Sequence, residues 1–203
     1  HSSNKKKIES FDFVIYAGSL GKYFRPDIKS FPKKPYLKKI DHYKDVELEF
    51  ILEKHKEIKI GISWKSFKNR YSKEKSLELT DFKIILQKKN SIFFNLQYGD
   101  INDELNQFIE NYNHEIISLK NLDLFNNFNG LANLLSKLDV FITVSNSTAH
   151  LAGALGIKTF LIKPANHASY HYWDYDNGKT PWYENVEIIS KEKLSDTEFI
   201  KKI

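Results

Sequence analysis

"TVSNSTAHLAGALG", residues 143–156, joins an apolar strand end to a polar corner and then to a run of small residues around one histidine. After Val144 the chain must turn and start a helix, so Ser145, Asn146, Ser147 and Thr148 fall at or near its N-terminus. The first backbone N–H groups of a helix have no internal partner, and the helix dipole adds partial positive charge there. A corner of this kind binds phosphate. Hydroxyl and amide side chains can bond to the same oxygens, and His150 lies one turn in. Ala149, Ala152, Gly153 and Ala154 let such a helix approach a sheet closely, and Gly156 ends it in the left-handed conformation. The plainer reading is that Ser145 or Asn146 caps the helix and His150 is a satisfied, half-buried histidine. These residues alone leave both readings open.

Outward from this corner the chain alternates short apolar runs with helically spaced stretches. Strands are expected at residues 58–63, 91–97, 114–118, 139–144 and 158–163, with a sixth at 186–189. Helices are expected at 77–88, with Thr80 or Asp81 as cap, at 101–112 and 129–138, and within the stretch 143–156. The strands are continuously apolar rather than alternating, as in parallel sheets covered on both faces. Strand and helix in alternation imply right-handed crossovers. The fold class read from this pattern is α/β, a doubly wound, Rossmann-like parallel sheet. Ligands of such sheets bind outside the carboxyl ends of the strands. Residues 11–57 break the alternation: one strand and a turn, a Pro-rich loop, then a charged helix at 41–56.

Composition bounds the function. The chain has 203 residues, of which 41% are hydrophobic, 14% aromatic and 28% charged, values typical of a globular protein with a sizeable core. No apolar run approaches the roughly 18 residues of a spanning helix. Zero Cys removes disulfides, thiolate nucleophiles and sulfur-ligated metals together, and a cytoplasmic location is the expectation. The net charge of +5 rests almost wholly on Lys, with Arg only at positions 25 and 70. Nucleic-acid readers favour the bidentate fork of Arg, so a solvated Lys-rich surface is expected and no nucleic-acid partner. "HSSNKKKIES", residues 1–10, lacks the apolar core of a signal peptide and is read as a tail or tag remnant.

Two further stretches could carry chemistry. In "GISWKSFKNRYSKEKS", residues 61–76, Ser63 ends a strand, Trp64 could stack on a planar ring, and Lys65, Arg70 and Lys75 could reach phosphates. The alternative there is a solvated basic loop with Trp64 as a core lid. "HASYHYWDYDNGKTPWYENV", residues 167–186, is an aromatic-rich loop without helical or strand period, a binding loop or a packed lid. His167, His171 and Asp174 do not make a persuasive metal set, and no metal is expected. A dinucleotide oxidoreductase would need G-x-G-x-x-G after the first strand, where "GISWKS" stands instead.

These stretches, in this order, resemble the C-terminal half of GT-B glycosyltransferases. The likeness is to bacterial glycosyltransferases that follow tetratricopeptide (TPR) repeats, related to the heptosyltransferase (family 9) group. It is carried by "IGISWKS", "KSLEL", "FFNLQYGD", "NGLANLLSKLDVFITVSNSTAHLAGALG" and "PWYENVEII", across about residues 58–190. "FDFVIYAGSLGKYF" and "FPKKPYL" resemble the last segment of the family's N-terminal domain. The resemblance implies that residues 11–57 are the end of an acceptor domain plus a linker helix. Residues 58–203 are then the donor domain, which binds a nucleotide-diphosphate sugar without metal or other cofactor. Its implied donor contacts are Ser63, Trp64, Lys65, Lys75, Gln97, Tyr98, Ser145, Asn146, Ser147, Thr148, His150 and Trp182. His150 matches the family histidine and is the candidate stabiliser of the leaving group. Trp182 and Tyr183 match the family's "WY".

Ser145 stands where many members have Asp, which removes a carboxylate. The family's general base comes from the N-terminal domain, so it is expected outside this chain. The acceptor would be a glycan, a lipid-linked sugar or a protein, with peripheral membrane contact compatible. The competing expectation is a non-catalytic nucleotide- or glycan-binding module derived from the same fold.

Overall fold

The computed structural model describes residues 12–32, 34–39, 43–67, 72–163, 172–173 and 178–203. The chain divides into two units, His1–Pro32 and Lys33–Ile203. In the first unit a short 3-10 turn, Ala17–Ser19, leads into helix α1, Leu20–Phe24. The strand expected near residues 11–16 does not form. Among the described residues, this unit supplies no second strand to pair with it.

The second unit is built on buried apolar runs. After helix α2 (Val46–Lys54) come strand β1 (Ile58–Ser63), the single turn α3 (Ser72–Lys75), β2 (Ser91–Asn95) and α4 (Asn102–Tyr112). Helix α5 (Phe128–Leu135), β3 (Val140–Val144), α6 (Ser147–Leu155), β4 (Thr159–Lys163), β5 (Val186–Ser190) and α7 (Thr197–Lys202) complete it. The five strands form one all-parallel sheet in the order β2-β1-β3-β4-β5. This is the α/β, Rossmann-like class expected from the sequence.

Successive side chains of a strand face opposite ways, and here both faces are covered. On one face Phe93, Val140, Ile142 and Phe160 pack with Leu105 and Phe108 of α4 and Phe199 of α7. On the other, Phe94 and Phe141 pack with Leu48 of α2, Leu131 and Leu134 of α5, and Ala152 of α6. Each large side chain so buried contributes about 1.5–3 kcal/mol.

Three expected elements differ in detail. Residues 114–118 do not form a strand; Ile117 alone bridges Phe94, exchanging 2.8 Å bonds with the Asn95 amide and the Phe93 carbonyl. With only Ile116 and Ile117 apolar between His114, Glu115 and Ser118, the segment has too little to bury for a longer ladder. The helix expected at 77–88 is two 3-10 turns, Leu79–Phe82 and Ile85–Gln87, the first opened by a capping box between Glu78 and Asp81. Its apolar spacing still holds, because Leu79, Phe82, Ile85 and Leu86 all reach the core. The charged helix begins at Val46, where the Asp45 carboxylate accepts the Leu48 amide at 3.0 Å.

Candidate functional site

The strand order reverses beside β1: the chain leaves β1 for β2 on one side and returns to β3 on the other. The loops that follow β1 and β3 therefore diverge from adjacent strand ends, which is where doubly wound folds open a crevice. Asn146 spans that point. Its Nδ2 donates to Ser63 Oγ at the end of β1 (2.9 Å) and to Thr143 Oγ1 (3.3 Å). Its Oδ1 accepts the Ala149 amide at 2.9 Å, so the same side chain caps α6. At the other end of the helix Gly156 adopts φ +81°, and the Ile157 amide returns to the Ala152 carbonyl at 3.0 Å. Both local expectations for this helix, an N-terminal polar cap and a left-handed glycine, are present.

Behind the cap, Gln97 organises the end of β1. Its Oε1 accepts from Ser63 Oγ (3.0 Å), the Trp64 amide (2.9 Å) and the Lys65 amide (2.7 Å). Its Nε2 donates to the Tyr98 carbonyl at 2.8 Å. Gln97 is buried and its polar atoms are engaged with its own loops, so it shapes the crevice from below. Trp64 is fully buried, which favours the core lid over a ring that stacks on a ligand. Its indole N–H donates to Glu104 Oε1 at 3.2 Å, and the Lys65 ammonium pairs with Glu104 Oε2 at 2.6 Å. Lys65 is thus held by α4 through the Glu104 carboxylate, which sequence reading did not single out.

The α6 side is different in kind. Helix geometry leaves the Ser147 and Thr148 amides outside the intrahelical ladder. Ser147 is exposed, whereas Thr148, Ser145 and Asn146 are buried. Ser145 Oγ accepts the Trp173 indole N–H at 2.9 Å. Trp173 also stacks on His150, centroids 4.4 Å apart and planes 24° apart. His150 Nδ1 lies 3.1 Å from the Tyr183 hydroxyl, which is 3.4 Å from that of Tyr36. Burial, with a smaller contribution from the Lys75 ammonium, lowers the His150 pKa to about 4, so the ring is neutral at pH 7. Burial raises the Tyr183 pKa. Lys75 itself is 6% exposed, at the end of α3.

The structure thus gathers Ser63, Gln97, Ser145, Asn146, Ser147, Thr148, His150 and Lys75 around the ends of β1 and β3. Tyr98 is half-buried between Phe67 and Phe125, with centroids 5.6 and 5.8 Å from it. Trp182 is half-buried and packs beside the cluster of Ala149, Trp173 and Tyr183. Trp173 and Tyr36 are the participants that sequence reasoning did not single out; Tyr36 lies 147 residues from its hydroxyl partner. Arg70, His167, His171 and Asp174 lie outside the described residues. Among the described residues no group of His, Asp and Glu could hold a metal ion, and no helix is long and apolar enough to cross a membrane.

No family profile matches the chain. It is 29% identical over 193 residues to protein FlbA of Caulobacter vibrioides, an alignment covering 92% of this chain and 31% of FlbA. Its fold is similar to that of ADP-heptose LPS heptosyltransferase II of E. coli, with TM-score 0.54 and 11% identity over 86% of this chain and 55% of that one. It is also similar to a family 9 glycosyl transferase of Veillonella parvula DSM 2008, with TM-score 0.52 and 14% identity over 83% and 46%. The chain spans about a third of FlbA and about half of these two structures. At such identities the likeness is one of fold, and the fold is the Rossmann-like α/β domain that these glycosyltransferases contain.

Proposed function

We propose that this chain is the donor-binding half of an inverting, metal-independent glycosyltransferase, with the diphosphate of a nucleotide sugar seated on the start of α6. The observation that supports this most is the position of that start. A capped helix N-terminus opens at the strand-order reversal, with a buried Lys75 and a neutral His150 beside it. In the proposed reaction the bond from the sugar's anomeric carbon to the diphosphate breaks as the acceptor hydroxyl bonds to that carbon. The acceptor's proton passes to a base outside this chain. Charge develops on the departing diphosphate, where the Ser147 and Thr148 amides, the Lys75 ammonium and a His150 N–H stabilise it. Preorganised donors of this kind act most strongly where water is excluded.

The test is a melting series with uridine, guanosine, adenosine and cytidine diphosphates. At a hundredfold excess over the dissociation constant, one of them stabilises the fold by about 2.7 kcal/mol. Lys75→Met abolishes that gain. A flat series at millimolar concentrations overturns the reading.

Ser145 supports a second reading. Its hydroxyl is engaged by Trp173, and it supplies no carboxylate to the crevice. This favours a non-catalytic module that keeps nucleotide binding without turnover. Assay of the longer protein for transfer or hydrolysis of the nucleotide sugar that binds separates the two.

A further inference from the structure

His150 sits in a cage whose parts come from distant places in the chain. Tyr183 closes one side; a Cβ on Gly153 would come within 2.5 Å of the Tyr183 ring, so this ring lies directly on α6. Trp173 covers a face of the imidazole, and Tyr172 meets it edge-on with centroids 5.1 Å apart. Tyr36 is tied to the same helix, because its amide and that of Leu37 both donate to the Ala154 carbonyl at 3.1 Å. From there its ring stacks on Tyr183, with centroids 6.4 Å apart and planes 22° apart.

The hydroxyls of this cage have a preferred direction. Neutral imidazole has one donor and one acceptor nitrogen, and the partner of one decides the role of the other. Either phenol can donate to the other. The imidazole nitrogen is the better acceptor and the nearer contact, at 3.1 Å against 3.4 Å, so the Tyr183 proton goes to His150 Nδ1 and Tyr36 donates to Tyr183 in turn. The opposite direction would send an imidazole N–H to a phenol oxygen, a poorer acceptor than an imidazole nitrogen. It would also put the Tyr183 proton on the longer contact.

We propose that Tyr183, backed by Tyr36, is a positioning residue that fixes His150 as the tautomer accepting on Nδ1 and protonated on Nε2, so that the ring offers an N–H to a phosphate oxygen at the start of α6. The inference rests on the reading above only in naming what that N–H meets. Tyr183 touches no reacting atom; it acts through the histidine. Sequence position conceals this role, because a "WY" pair ahead of an edge strand reads as packing.

Long-range ¹H–¹⁵N correlation on the ¹⁵N-histidine-labelled, ligand-free protein at pH 7 tests it, with His150→Gln identifying the signal. The expected spectrum shows His150 protonated on Nε2 and bare on Nδ1. Tyr183→Phe keeps the ring on Gly153 but removes the hydroxyl. It should give a mixture of tautomers and weaken nucleoside diphosphate binding about tenfold, the loss expected for one hydrogen bond. Tyr36→Phe shifts both in the same direction by less. A wild-type His150 protonated on Nδ1, or a tautomer unchanged in Tyr183→Phe, overturns the assignment, and the wild-type spectrum decides even if the variant fails to fold. Because the tautomer is read without ligand, failure of all four diphosphates to bind overturns the anion seat, while the spectrum judges the role of Tyr183 separately.

Discussion

The ends of β1 and β3 lie side by side in the sheet, are bridged by the Asn146 side chain donating to Ser63, and are built on opposite plans. At the end of β1 each polar group finds a partner within the protein: Gln97 takes a hydroxyl and two amides, and Glu104 takes an indole and an ammonium. At the end of β3 a helix begins with amides that its own ladder cannot use, next to a histidine made abnormally acidic and a buried lysine. Saturation suits the first to a scaffold role. Perturbed titration beside a helix N-terminus is what the proposed anion seat at the second rests on.

Four measurements break or sharpen this contrast. The largest effect is expected from Gln97→Ala, which leaves the buried Trp64 amide, the part-buried Lys65 amide and the Ser63 hydroxyl without their acceptor. Urea denaturation should show a loss of about 4 kcal/mol, at roughly 1–3 kcal/mol for each unsatisfied group. A loss under about 1 kcal/mol would mean the β1 end is not the rigid partner of the pair.

Next comes the pH dependence of His150. Its folded pKa, about 4, lies below the unfolded value of 6.5, so between these two the unfolded chain holds the extra proton. Stability is therefore unaffected above pH 6.5 and falls as pH drops toward 4, by about 3 kcal/mol in all at 1.36 kcal/mol for each pH unit. Among the described residues, the groups recorded against this ring are Lys75 and the aromatic residues Tyr172, Trp173 and Tyr183. Comparing wild type with His150→Gln by denaturation at pH 7 and 4.5 isolates the contribution. In Lys75→Met the histidine pKa rises but stays below 6.5, because burial is the larger cause.

Asn146→Ala should cost about 1–2 kcal/mol through the lost cap, with a further loss from the bridge to Ser63. Asn146→Asp separates the two, since a carboxylate caps the helix but cannot donate to Ser63 or Thr143. Calorimetric melting of the pair checks this. Smallest of all is Lys65→Met. Its ion pair with Glu104 is part-exposed and is worth at most about 1 kcal/mol. Nucleoside diphosphate affinity should not change, whereas Lys75→Met abolishes binding; equal effects of the two would erase the distinction between the strand ends.

Much of the fold is written locally. Parallel strands covered on both faces must be continuous apolar runs, so residues 58–63, 140–144 and 159–163 declare themselves. Helix α6 does so through its cap residue, its small side chains and Gly156, all within fourteen positions of sequence. The segment near 114–118 and the helix expected at 77–88 show the limit. Periodicity found the residues that face the core, but the backbone form there depends on how much edge remains for pairing and on the Glu78–Asp81 box.

The sequence by itself determined that a capped, small-residue helix follows a buried strand, because caps and helix ends depend on neighbours along the chain. Only the tertiary structure decided which polar groups meet. Asn146 reaches Ser63 across 83 residues, Trp173 reaches Ser145 across 28, and Tyr183 reaches His150 across 33. The burial of Trp64, the pairing of Lys65 with Glu104 and the low pKa of His150, set by burial and then Lys75, are likewise products of the fold. Burial and Coulomb interaction are fixed by distance in space, which linear order does not encode.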